Sequence, residues 1–84
     1  MEYNVSNMRI FGTRLKELRE EKGLTKFALG KAISIGDSTI GLWERCERDI
    51  TSDNLQKIAD FFDVSTDYLL GRSDEYLLSK LSKP

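Results

Sequence analysis

The residues that usually carry catalysis are scarce in this 84-residue chain. It holds no histidine and a single cysteine, Cys46. Imidazole-based triads, the HExxH zinc motif and Cys/His zinc fingers are thereby excluded. No glycine-rich loop ending in Lys-Ser/Thr is present to cradle a phosphate, and no carboxylate spacing marks an acid/base pair. An enzyme is not expected, nor is a cofactor, a metal or a small-molecule ligand. What remains is non-covalent recognition. The stretch Gly36-Asp37-Ser38-Thr39 combines small side chains with the position of a helix start. Free N–H groups and small side chains let such an end come close to another molecule's surface.

Charge is distributed unevenly along the chain. Residues 1–24 carry five Lys/Arg against four Asp/Glu, residues 25–48 four against three, and residues 49–84 four against seven. The formal net charge is −1. That value does not advertise nucleic acid, but residues 1–48 could present a weakly basic face. At 39% hydrophobic residues and without a low-complexity tract, the composition is that of one globular domain. No apolar run approaches the roughly 20 residues a membrane span needs, and "MEYNVSNMRIF" has no apolar signal core. One thiol cannot build a disulfide framework. The expected compartment is the cytoplasm, with no membrane partner.

The elements that must position these residues read as five helices and no strand. "TRLKELREEKG" sets Leu15 and Leu18 on one stripe, extended backwards by Phe11, and stops at Gly23. "TKFALGKAI" opens on Thr25, with Ala28, Leu29, Ala32 and Ile33 on one face. "GDSTIGLWE" follows a turn at Ser34 and carries Ile40 and Trp43 inward. "SDNLQKIADFF" opens on Ser52 and Asp53, with Leu55, Ile58, Ala59 and Phe62 at helical spacing. "STDYLLG" is capped by Ser65 and ended by Gly71. "SDEYLLSKLS", with Ser73 as cap, could add a short further helix. Residues 1–8 are expected as a flexible extension, 9–71 as the domain, and 72–84 as a tail that could be helical. Glycine costs about 1 kcal/mol against alanine inside a helix, so Gly30, Gly36 and Gly41 need reasons. Two short helices joined by a tight turn cross steeply, and Gly30 fits the crossing. Gly36 leaves room at the helix start, and Gly41 is expected on the exposed face.

Three stretches carry a resemblance: "RLKELREEKGLTK" at 14–26, "LGKAISIGDSTIGLWE" at 29–44 and "LQKIADFFDVSTDYLLG" at 55–71. In this order they are similar to the helix-turn-helix domain of the phage-repressor family (lambda-repressor-like, Xre-type). The resemblance implies a five-helix, all-α DNA-binding domain that acts as a transcriptional regulator, expected here as a repressor. It also implies a homodimer on a palindromic double-stranded operator, with half-sites about 34 Å apart.

Residue roles follow from the same resemblance. Lys26, where the family usually has glutamine, would touch phosphate as a flexible point charge. Asp37, Ser38 and Leu42 occupy positions that reach base edges, beside Gly36 and Thr39. The common specific readers Arg, Lys, Asn and Gln are absent between Gly36 and Glu44; Asp37 could equally serve only as a helix cap. Arg45 and Arg48 would lie along the DNA backbone. Arg19 and Glu44 match a structural ion pair between the first and third helices. Cys46 replaces the usual glycine after the recognition helix, and Ile50 a common proline. If position 46 needs positive φ, Cys46 carries strain. Tyr68, Leu69, Leu70, Leu77, Leu78 and Leu81 exceed what so short a segment is expected to bury, and are the expected dimer interface. The alternative is a sixth helix folding back on the core. A second functional reading also stays open: a module of this fold that binds protein rather than DNA, favoured by the missing basic readers, the acidic balance and Leu42 on the reading face.

Overall fold

An apolar stripe at Phe11, Leu15 and Leu18 organises the molecule, each of these side chains at most 5% exposed. Their i, i+4, i+7 spacing lines one side of a helix. In the computed structural model, which describes residues 5–73 and side chains from Arg9 onward, that helix is α1, Val5–Glu21. It is followed by α2 (Lys26–Ile33), α3 (Asp37–Glu44), α4 (Ser52–Phe62) and α5 (Thr66–Leu69), with no strand among the described residues. No described helix is long and apolar enough to cross a membrane.

Helix α1 packs on α3 and α5, α2 on α3 and α4, and α4 on α5. Phe11 meets Trp43 edge to face, the ring centroids 6.3 Å apart. Around them close Leu29, Ile33, Ile40, Ile50, Leu55, Ile58, Ala59, Phe62, Val64, Leu69 and Leu70. Each contributes through apolar area removed from water.

All five described helices end in the same way. Gly23, Ser34, Cys46, Asp63 and Gly71 have φ between 57° and 80°. The residue after each donates its N–H to a carbonyl five positions back: Leu24 to Arg19, Ile35 to Gly30, Glu47 to Leu42, Val64 to Ala59 and Arg72 to Asp67. This left-handed termination satisfies carbonyls the helix leaves orphaned. At the other ends, Thr25, Thr51 and Ser65 accept from the N–H groups of Ala28, Asn54 and Tyr68.

Several expectations are corrected. Helix α1 begins at Val5, so residues 5–8 are helical rather than part of an irregular extension. No Gly or Pro interrupts the stretch from Val5 to Phe11, and a helix anchored by its apolar stripe propagates at little cost. The cap of α4 is Thr51, with Ser52 already its first residue. Ala32 is exposed, leaving Leu29, Gly30 and Ile33 as the buried face of α2. Leu69 and Leu70 are 0% and 6% exposed. Helix α5 turns them into the space between α1 and α4, so they cannot form a dimer interface. Tyr68 is half-buried, with Arg14 stacked 4.1 Å above its ring. Leu77, Leu78, Leu81 and the further helix expected there lie outside the described residues.

Candidate nucleic-acid interface

The site is built on the α2–turn–α3 unit. A Cβ on Gly30 would collide with the Ile35 carbonyl and lie 3.4 Å from Ile40 Cδ1. Gly30 thus permits the tight turn, in which Ser34 adopts the left-handed conformation. Gly36 caps α3 with extended backbone and no side-chain bond, and open space surrounds its Cβ direction. Asp37 is therefore the first residue of α3, not its cap, and it favours the positive end of the helix dipole.

Helix α3 divides into two faces. Ile40, Gly41 and Trp43 are buried. Gly36, Asp37 and Ser38 are exposed, Thr39 and Leu42 half-buried. Lys26, Asp37, Ser38, Gly41, Leu42 and Arg45 line one shallow depression. Gly41 is covered rather than exposed, correcting the expectation: its Cβ would stand 3.3 Å from Arg45 Nη1 and 3.8 Å from both Cδ and Nζ of Lys26. The missing side chain lets the two cationic side chains lie down beside α3, which only the tertiary arrangement makes visible. Arg48 is exposed in the loop that follows.

The anchoring of α3 comes from the opposite side. Arg19 Nε donates to Glu44 Oε2 at 2.6 Å and Nη2 to Oε1 at 3.0 Å, a two-pronged geometry. Arg19 Nη1 also donates to the Leu24 carbonyl at 2.8 Å. The side chains are only 10% and 4% exposed. The hydrogen bond to Glu44 raises the Arg19 pKa above its already basic value, against the opposing effect of burial. With Glu44 ionised, this stabilisation is fully present below the pKa of a free arginine and is lost as pH rises through the raised pKa. The pair also neutralises Glu44 behind the reading face. Arg45 Nε lies 3.3 Å from Glu47 Oε1, but both side chains are 55% exposed, so this pair holds Arg45 weakly. Trp43 Nε1 donates to the Asp49 carbonyl at 3.4 Å, and Ile50 is buried, which fixes the loop behind Arg48. Cys46 has φ 62°, the left-handed conformation in which a non-glycine residue is strained.

Sequence reasoning passed over Gly12. A Cβ there would stand 2.6 Å from the Trp43 carbonyl oxygen, 2.9 Å from that of Glu44 and 2.9 Å from Cys46 Sγ. Gly12 is where α1 and the end of α3 touch backbone to backbone. A glycine inside an apolar helical stripe was the available signal.

The comparisons with known proteins agree with this geometry. A model of the family described as "Helix-turn-helix" matches residues 15–69. The chain is 40% identical over 63 residues to the HTH-type transcriptional regulator ImmR of Bacillus subtilis, covering 75% of this chain and 50% of that protein. It is 31% identical over 64 residues to repressor protein C2 of Salmonella phage P22, covering 76% of this chain and 30% of the repressor. The chain thus spans half or less of the length of these relatives. Among solved structures, the restriction-modification controller protein C.AhdI of Aeromonas hydrophila superposes with a TM-score of 0.68 at 34% identity, covering 74% of this chain and 94% of that one. The P22 c2 repressor in complex with a synthetic operator superposes with a TM-score of 0.70 at 30% identity, covering 75% of this chain and 96% of that one. Five helices with a glycine-tightened turn and matches of this extent have one reading: the chain belongs to the helix-turn-helix family, in its Xre-type, phage-repressor-like branch.

Proposed function

We propose that this chain is a sequence-specific double-stranded DNA-binding transcriptional regulator, a cytoplasmic repressor that occludes RNA polymerase. The observation that carries the reading is the divided face of α3. Its inner residues and Glu44 are locked to the scaffold, while Gly36, Asp37 and Ser38 stand free between Lys26 and Arg45. A helix held this way presents its leading end to a major groove. Lys26, Arg45 and Arg48 serve phosphates, which position the protein without reading sequence. Asp37 accepts from cytosine N4, Ser38 bonds to a base edge, Thr39 stands beside it, and Leu42 packs on a thymine methyl. One domain offers few phosphate contacts, so a homodimer on a two-fold operator is the economical arrangement.

Selection from random duplex DNA, with affinity measured across salt concentrations, tests the reading. An enriched palindromic motif bound with a steep salt dependence supports it. No enriched motif and a flat salt response would instead favour a protein-binding module. The specific observation on that side is the Arg45–Glu47 pair together with Asp37, which lowers the positive charge of the face.

A further inference from the structure

Phe27 is the most exposed large hydrophobic residue described, with 61% of its surface open to solvent. It stands on the outer side of α2, one residue after Lys26, and Lys31 sits one turn further along. The Lys31 ammonium lies 5.6 Å from the Phe27 ring centroid. Together with Gly30, Ser34, Ile35, Gly36 and Asp37 these two residues line a groove. Nothing in the core requires a bare aromatic ring there, because the buried face of α2 is Leu29, Gly30 and Ile33.

The groove adjoins the reading face directly. Asp37 lines both this groove and the depression with Lys26, Leu42 and Arg45. No side chain at Gly36 stands between them. A duplex seated on α3 would therefore run its sugar–phosphate strand past Phe27. Each nucleotide of that strand offers an apolar deoxyribose face next to a negative phosphate. Phe27 and Lys31 offer the complementary pair, an apolar ring with a cation over one side of it.

We propose that Phe27 and Lys31 form a backbone clamp, in which the Phe27 ring packs on a deoxyribose and Lys31 binds the adjoining phosphate. This rests on the DNA-binding reading above and adds a contact outside the α3 readers. The ring contributes affinity without base preference, and Lys31 contributes the salt-dependent part.

The test uses the duplex enriched by selection, with fluorescence anisotropy at several salt concentrations on the full chain. Phe27→Ala should weaken binding about tenfold, the loss expected for one aromatic ring's contact area, with an unchanged salt slope. Lys31→Ala should lower that slope by about one unit. Phe27→Tyr, which keeps the ring, should bind like the wild type. Thermal melts of all three should match the wild type, because neither residue is in the core. Wild-type binding together with a Phe27→Ala affinity within about twofold of it overturns the clamp and leaves the regulator reading intact. A Phe27→Ala protein that changes its preferred bases overturns it as well, since the contact would then be to a base. A wild-type chain that enriches no duplex overturns the DNA-binding reading itself, and the clamp with it.

Discussion

Glu44 ends α3 with its carboxylate held by both prongs of Arg19 and almost no solvent around it. Removing one partner strands the other as a buried charge, which costs more than removing both. Glu44→Ala should lower stability by about 3 kcal/mol and the Arg19→Ala/Glu44→Ala double variant by less. Urea unfolding checks this, and additive losses near zero would mean the pair contributes nothing. The exposed residues beside and on the same helix, Lys26 and Asp37, should behave differently. Lys26→Ala should weaken binding to every duplex and reduce the salt slope by about one unit. Asp37→Ala should keep or raise non-specific affinity, because a negative charge leaves the groove, while relaxing choice at one base pair. Anisotropy on the selected duplex and on single-base variants separates the two. An Asp37→Ala protein with unchanged base preference would reduce Asp37 to a helix-dipole partner.

Each helix ends on a left-handed residue, but only Gly23 and Gly71 are glycines. An L side chain in that conformation costs roughly 1–2 kcal/mol, partly offset because glycine loses more chain entropy on folding. Asp63→Gly should therefore raise stability by about 0.5–1 kcal/mol. Cys46→Gly should gain less, since the Cys46 sulfur also packs over Gly12. Gly23→Ala, with nothing within 4 Å of its Cβ, should lose about 1 kcal/mol through conformation alone. Thermal melts of the three rank the effects, and an Asp63→Gly protein less stable than wild type would contradict them. These ends also mark how far the sequence could be read. Helical spacing, the caps at Thr25 and Ser65 and the stops at Gly23 and Gly71 were all legible, because each depends on neighbours a few residues away. The pairing of Arg19 with Glu44 came only through resemblance, since no local pattern joins residues 25 positions apart. Gly12 was not understood because its reason lies at the end of α3, and Gly41 because side chains from Arg45 and from Lys26 of α2 fold over it. Leu69 and Leu70 were misjudged for a related cause. An apolar count along a short segment says nothing of the space that α1 and α4 leave for it.

At the scale of the whole molecule, α5 fills the gap between α1 and α4 with Leu69 and Leu70. We propose that a dimer would use Leu77, Leu78 and Leu81, with Tyr68 at the edge. A chain truncated after Ser73 should keep its melting transition, because Arg14 still bonds the Tyr68 and Ser73 carbonyls. It should sediment as a monomer and bind a palindromic duplex far more weakly than the full chain. A truncated protein that stays dimeric overturns this assignment, and one that unfolds gives residues 74–84 a place in the core. The divided face of α3 has one more consequence. Ile40, Trp43 and Glu44 hold the helix, whereas Asp37, Ser38 and Leu42 lie on the side that the proposed operator would meet. On that reading, target choice and fold are inherited on separate letters of the same eight-residue word. On the proposed reading, a lineage would drift from one operator to another by exchanging three side chains, and an engineer would transplant a relative's specificity at those positions without redesigning the domain.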